Sequence, residues 1–320
     1  MTREPELSHD NISAARQLID PVFLNSPLLS CPTAGLMLFA KDETDNPIRS
    51  FKGRGTGYYL AHGTPETGAA GRDPLVTASA GNFGQGLAYN AARHGRSLVV
   101  FASVNANPLK IAAMRRLGAE VHLAGEDFDA AKDAARHHAR ARDLAFVEDG
   151  AHAAIAEGAG TIAAELSEAV DALDVVYIPL GNGALAAGIG CWFKARAPQT
   201  RVVAVAATGA PCMALSYRAG RAIATPDGNT IADGIAVRIP VPSAVDWLRD
   251  TVDEVVLVDD DVIVQAMRFA ERTWGRRVEP AGAAGLAAIL TQAASLKGQR
   301  VATALCGGNL TEAQIAGWLS

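Results

Sequence analysis

Residues Leu98–Leu123 read LVVFASVNANPLKIAAMRRLGAEVHL. Leu98–Phe101 is a short apolar run between polar residues, the pattern of a strand buried on both faces. Asn107-Pro108 pairs an N-cap residue with proline at the first helical position. Leu109–Leu117 then carries apolar residues at helical spacing, and Gly118 closes the helix. Glu120–Leu123 is strand-like again. Outward from this unit the alternation continues, with strand-like runs at Leu75–Ala78, Val175–Ile178, Val202–Val205, Val255–Val258 and Val301–Leu305. Helical patterns cover Asp127–Arg142 and Ala159–Val170, and a further helix runs to about Trp274 with Asp260 or Asp261 as its cap. Strand and helix in succession predict an α/β fold with mostly parallel sheets.

The 320 residues suffice for about two domains. The Gly/Pro/Thr-rich stretch Gly63–Pro74 is the best linker, and a second boundary falls near Glu148–Ala154. Residues 73–151 are then a small α/β domain inserted into a larger one made of residues 1–72 and 152–320. A hydrophobic content of 49% excludes a disordered chain. Apolar runs such as Ala281–Leu290 fall well short of the ~18 residues of a membrane span. The start, MTREPELSHDN, has no apolar core of a secretory signal. Twenty-nine basic against 34 acidic residues, without a basic stripe, argue against a nucleic-acid partner. A soluble, cytoplasmic protein is expected, with no regulatory domain appended after the last strand.

Cys31, Cys191, Cys212 and Cys306 are far apart and form no CxxC pair, so neither a disulfide framework nor a zinc site is expected. His137-His138 lies in an Ala/Arg/Asp-rich helical stretch and reads as a solvated face. Glycine is more informative. Three glycine-rich turns follow strands: Ser79-Ala80-Gly81-Asn82-Phe83-Gly84-Gln85-Gly86, Gly181-Asn182-Gly183-Ala184-Leu185, and Cys306-Gly307-Gly308-Asn309. Ligands of open α/β sheets gather at such strand ends. A glycine turn that opens a helix presents free N–H groups and a positive dipole end to an anion, so the second turn is a candidate phosphate cradle. Neither a P-loop nor a complete dinucleotide fingerprint is present. A lone glycine turn is as often only a tight turn.

Lys52 changes the balance. In Arg49-Ser50-Phe51-Lys52-Gly53-Arg54-Gly55 it follows an aromatic residue, stands among glycines and opens a helical stretch. Its plainer reading is a side chain that reaches water. A half-buried lysine favours its neutral form, which is the form a Schiff base needs. One lysine, one phosphate cradle and one Ser-x-Gly-Asn turn are the parts required to hold pyridoxal phosphate and a substrate carboxylate.

In these motifs the chain resembles the fold type II pyridoxal-phosphate enzymes, within them the threonine/serine dehydratase branch. Ser50–Gly55 is similar to the family's SFKxRG, which makes Lys52 the Schiff-base lysine and Phe51 its neighbour at the cofactor. Ser79–Gly86 resembles the family loop whose residues Ser79, Ala80, Gly81 and Asn82 would hold the substrate carboxylate, with Asn82 also on the cofactor. Glu157–Thr161 is similar to EGQGT with Ala for Gln, and Thr230–Val237 to TIADGIAV. Glu279–Ala283 and Cys306–Asn309 complete the order. The resemblance implies two open, twisted, mostly parallel sheets with helices on both faces, the smaller domain inserted in the larger. It also implies pyridoxal 5'-phosphate as cofactor, held by Lys52, Phe51, Asn82, Gly181, Asn182, Gly183, Ala184, Leu185, Glu279 and Cys306, and a homodimer.

The departures bear on the reaction. Gly181–Leu185 replaces a run of glycines with an Asn and a methyl group, and phosphate binding is expected to survive. Racemases of this branch carry a serine at the place of Ala80, and a methyl group moves no proton. They also use a Glu and an Asp for a divalent metal, which Ala206–Cys212 lacks, so no metal is expected. The resemblance implies α,β-elimination on a β-hydroxy amino acid of the L-threonine or L-serine type, giving a 2-oxo acid and ammonia. Lys52 would be the base and Cys306 the partner of the ring nitrogen, with the phosphate as the usual candidate acid. Glu157 reads as structural. Gly57-Tyr58-Tyr59 and Phe83 are expected to bring aromatic bulk to the site, which leaves β-replacement or another β-substituted substrate open. A racemase and a non-catalytic pyridoxal-phosphate-binding protein are the remaining alternatives.

Overall fold

The computed structural model describes residues 6–63 and 73–319. The linker expected at Gly63–Pro74 falls largely on residues 64–72, outside the described residues. A six-stranded sheet runs in the order β1-β2-β9-β6-β7-β8 and a three-stranded one in the order β3-β4-β5. The strands are β1 (Leu28–Thr33), β2 (Leu36–Asp42), β3 (Leu75–Ala78), β4 (Leu98–Ala102), β5 (Glu120–Leu123), β6 (Val175–Pro179), β7 (Arg201–Ala207), β8 (Glu254–Val258) and β9 (Arg300–Leu305). All pairings are parallel except the hairpin β1–β2. The seven strand-like runs of the sequence all form strands. Every strand of the small sheet lies between residues 75 and 123, whereas the large sheet takes strands from both sides of that stretch.

The hairpin escapes the sequence reading for a local reason. Its turn is Ala34-Gly35, both with positive φ (49° and 83°). Alanine stands where the usual hairpin signal has Asn or Asp, and β1 alternates between half-buried and exposed positions around Pro32.

Helices α1 (His9–Leu18), α2 (Lys52–His62), α3 (Asn82–Arg93), α4 (Pro108–Arg116), α5 (Phe128–Ala141), α6 (Ala153–Ala169), α7 (Ala184–Arg196), α8 (Cys212–Ala219), α9 (Pro242–Thr251), α10 (Asp260–Trp274), α11 (Pro280–Gln292) and α12 (Glu312–Trp318) complete the chain. Among the described residues no helix is long and apolar enough to cross a membrane. The Asn107 side chain caps α4 by accepting from the Leu109 amide, and Asp127 caps α5 likewise. Two helix starts differ from expectation. Asp259, not Asp260 or Asp261, stands at the N-cap position of α10 and makes no side-chain cap bond, while the Asp260 carboxylate accepts from Thr230 Oγ1 (2.5 Å) and the Ile231 amide (3.0 Å). Helix α6 begins at Ala153, before the expected Ala159. Gly158 therefore sits inside it, not ahead of it, as a close-packing position: a Cβ there would lie 2.7 Å from the Arg54 carbonyl oxygen.

That close approach of α2 and α6 surrounds a buried charge cluster. Arg54, fully buried, donates from Nε to Glu43 Oε2 (2.8 Å) and from Nη1 to Glu165 Oε1 (2.6 Å) and Thr161 Oγ1 (3.0 Å). Lys41 Nζ pairs with Glu165 Oε2 at 2.8 Å. The cluster ties the end of β2 to α2 and α6. Burial pushes the Glu165 carboxyl up, but Arg54 and Lys41 outweigh it and bring the group down to about 2 from 4.5. Because the folded value is the lower one, this stabilisation is complete above pH 4.5 and is lost as pH falls through 2. Glu165→Gln, which leaves part of two buried cations uncompensated, is therefore expected to cost about 3–5 kcal/mol at pH 7. Urea denaturation of wild type and variant at a series of pH values checks this, with the gap narrowing between pH 4.5 and 2.

Candidate active site

The carboxyl ends of β3, β6 and β9 border one cavity of about 580 Å³. The residues nominated from the sequence for catalysis, cofactor and substrate carboxylate all line it: Phe51, Lys52, Ser79–Asn82, Gly181–Leu185, Glu279 and Cys306. Backbone pairing explains why the lysine arrives there. The Phe51 amide donates to the Cys306 carbonyl (3.1 Å), Ser50 bridges Gly307, and the Gly308 amide donates to the Arg49 carbonyl (2.9 Å). The segment before α2 is thus stitched to the segment after β9, and Lys52 starts its helix at the cavity wall.

Lys52 Nζ lies 4.7 Å from the Phe51 ring centre and 5.7 Å from that of Phe83. It donates to Asp149 Oδ2 at 2.5 Å. Sequence reasoning expected burial alone to act on this amine; the structure adds a carboxylate partner. Ser79 Oγ accepts from the amides of Gly84 (2.9 Å) and Gly81 (3.2 Å), so the hydroxyl shapes the turn that opens α3. Asn82 donates from Nδ2 to Glu279 Oε1 and accepts on Oδ1 from Asn309 Nδ2 (2.9 Å). Gly183 is the N-cap of α7 with φ 98°, and no side chain caps that helix. Its first amides, which have no intrahelical acceptor, face the cavity end.

The Cys306 thiol is pushed well above its ordinary range, first by burial and then by Glu43 and Glu279, and so stays neutral. The Glu279 carboxyl, fully buried, is pushed up to about 7 by burial and by Asp233, against the opposing pull of Lys110 and Asn82. Its Oε2 has no hydrogen-bond partner among the described residues.

Two expectations change. Tyr58 and Tyr59 do not line the cavity; six and seven positions along α2 from Lys52, they are buried in the core, Tyr58 against His62 and Tyr59 against His152. Of the aromatic residues nominated for bulk, only Phe83 reaches it, joined by Phe128 and Phe146. Glu157, consistent with its structural reading, accepts from the Ser8 amide (3.0 Å) and Asn11 Nδ2 (2.9 Å) and anchors α1.

Several charged residues of the cavity wall were not singled out from the sequence, among them Lys110, Arg238 and Asp149. Lys110 is a polar position of an ordinary helix, yet its Nζ is buried and pairs with Asp233 Oδ2 at 2.6 Å. Burial lowers that amine and Glu279 and Asp233 raise it, with a net upward shift. Arg238, which follows the Thr230–Val237 motif, pairs with Asp129 at the start of α5. Asp149 lies in VEDGAH, which reads as a domain boundary. No local signal marks any of them, because their partners are distant in sequence.

The family model of pyridoxal-phosphate dependent enzymes matches residues 19–307. The chain is 35% identical over 277 residues to the biosynthetic L-threonine dehydratase of Salmonella typhimurium, covering 86% of this chain and 53% of that enzyme. It is 35% identical over 285 residues to the L-threonine ammonia-lyase of Thermotoga maritima, covering 89% of this chain and 70% of the other. This chain thus spans about half the length of the Salmonella enzyme. The solved structure of the processed form of threonine deaminase isoform 2 from Solanum lycopersicum matches with a TM-score of 0.88 at 26% identity, over 99% of this chain and 90% of that one. With that match laid over a cavity that joins Lys52, a glycine turn at a helix start and a neutral Cys306, the chain belongs to the pyridoxal-phosphate dependent enzymes.

Proposed function

We propose that the protein is an ammonia-lyase that eliminates the β-hydroxyl of an amino acid of the L-threonine or L-serine type, releasing a 2-oxo acid and ammonia. The observation that carries this reading is the meeting of Lys52, the Gly181–Leu185 turn and Cys306 in one cavity, with a methyl group at position 80. The residues present fit the cofactor. Gly183 adopts a backbone conformation that side chains resist, and a Cβ on Gly181 would lie 2.8 Å from the Gly234 carbonyl oxygen. The uncapped α7 amides beside them suit a phosphate. In this reading Lys52, Asn82, Gly181–Leu185 and Cys306 hold pyridoxal phosphate, with Phe51 and Glu279 beside it.

The bound cofactor supplies the electron sink for the Cα bonding pair. Lys52 Nζ takes the Cα proton as general base, over the Phe51 ring. The Ala80 and Asn82 amides at the start of α3 bind the substrate carboxylate, in a turn held in shape by the Gly81 amide on Ser79 Oγ and the Ser79 amide on the Phe101 carbonyl. Asn82 is oriented from both ends by Asn309 and Glu279. Cys306 would hold the cofactor ring with a neutral thiol, which would leave the ring a weaker electron sink than a carboxylate partner would and would suit prompt loss of a β-substituent. Ala80 offers no proton donor where racemases of this branch carry a serine, so the substrate is not returned from that side as its opposite enantiomer. The same reading makes residues 73–151 an inserted domain that carries the carboxylate loop, and has the enzyme working as a cytoplasmic homodimer.

Steady 2-oxo acid release from the pyridoxal-phosphate-loaded protein, on L-threonine and L-serine offered separately, is the expected result. Yellow protein without product from either would overturn the elimination reading in favour of another β-substituted substrate. Lys52→Ala should abolish the colour and lower turnover by at least about 10³-fold, since it removes both the covalent anchor and the base. Glu279 makes a separate prediction. Its folded value of about 7 exceeds its ordinary 4.5, so the group's contribution is fully present below pH 4.5 and is lost as pH rises through 7. Glu279→Gln should flatten the fall in melting temperature of the cofactor-free protein across that window.

A further inference from the structure

We infer that Asp149 is a catalytic proton relay between Lys52 and the departing β-substituent, an inference that rests on the elimination reading above. Asp149 lines the cavity from the turn that precedes α6. Its Oδ2 accepts from Lys52 Nζ at 2.5 Å and from Asn182 Nδ2 at 3.4 Å, so the carboxylate stands between the reacting amine and the glycine turn. Its Oδ1 is buried and has no hydrogen-bond partner among the described residues. A buried carboxylate oxygen left open costs free energy, and active sites are where such costs persist.

Among the other acids of the wall, Asp227 is exposed, Asp127 caps α5, and the rest are engaged elsewhere. Asp233 pairs with Lys110 at 2.6 Å, Glu148 with Lys132 and Arg136, and Asp129 with Arg238. Glu279 is bound to Asn82, and Ser79 Oγ is held by two amides. Asp149 is the cavity acid whose cationic partner is the catalytic amine itself.

Hydroxide leaves poorly, so the β-oxygen must gain a proton as its bond breaks. Lys52 Nζ removes the Cα proton, and the resulting ammonium passes a proton to Asp149. The Asp149 acid then donates to the β-oxygen. The Cβ–O bond breaks with its electron pair going to oxygen, water departs, and the former Cα–H pair becomes the Cα–Cβ double bond. The substrate has lost H and OH as one water, and Lys52 and Asp149 return to their starting forms.

The test compares wild type, Asp149→Asn and Asp149→Glu as holoenzymes on L-serine and on 3-chloro-L-alanine, whose chloride leaves without a proton. Asp149→Asn should lower kcat on L-serine by about 10²–10³-fold and on the chloro substrate by less than about 10-fold, and Asp149→Glu should recover part of the L-serine loss. Equal losses on both substrates would overturn the relay, as would indifference of both variants. A second readout uses the cofactor-free protein. Labelling of Lys52 by cyanate, followed by peptide mass spectrometry, should be several-fold faster in Asp149→Asn, with Lys110 labelling as in wild type; an unchanged Lys52 rate overturns the pairing. Wild type inactive on both substrates sinks the elimination reading and the relay with it. Wild type active on both, with indifferent variants, sinks the relay alone.

Discussion

The buried contact between Arg54 and its two glutamates is the constraint on which the site depends. Arg54 lies two residues after Lys52 on the same helix, with its guanidinium fully removed from water. A charge in that position is tolerable only if its donors are nearly all matched by acceptors, and Glu43, Glu165, Thr161 and Ser26 supply them. The geometry of those acceptors fixes the rotation of α2 and its depth against α6. Glycines 55 and 158 allow the two helices to come close enough for the cluster to close: a Cβ on Gly55 would lie 2.4 Å from the Ile155 carbonyl oxygen. The reacting amine inherits its position from a neighbour that never touches the cavity.

Around that anchor, parallel strand order does the assembling. Strands β9 and β6 are neighbours in the large sheet, so the segments that leave their carboxyl ends, Cys306–Asn309 and Gly181–Gly183, open side by side. The Ser79–Asn82 turn comes from the other sheet and meets them through Asn82, which touches both Glu279 and Asn309. Two ion pairs, Lys110–Asp233 and Arg238–Asp129, connect the same two parts of the chain at the cavity wall. The site is therefore built between two sheets and belongs wholly to neither.

Its electrostatics separate groups that hold shape from groups free to react. Burial keeps the Cys306 thiol neutral and lifts the Glu279 carboxyl, while most other charged side chains of the wall are closed into pairs with one another. The Lys52–Asp149 pair differs in that one partner is the amine that the chemistry must use.

Local pattern determined the α/β class, seven of the nine described strands, the cap of α4, and the glycine turns that hold the candidate site. These features are written in residues adjacent in sequence: apolar runs, cap residues and glycines act over a few positions. The motif residues Lys52, Asn82, Gly183 and Cys306 could be nominated for the same reason, each being embedded in a short and distinctive context. Only the tertiary structure decided that α6 starts at Ala153, that Tyr58 and Tyr59 turn into the core, and that Ser79 serves its own turn. Only it brought Asp149 to Lys52 and Lys110 to Asp233. Those outcomes depend on side chains separated by 97 and 123 positions in the chain. Pairing across such distances is set by how the two sheets face each other, a quantity to which no single stretch of sequence gives a local signal.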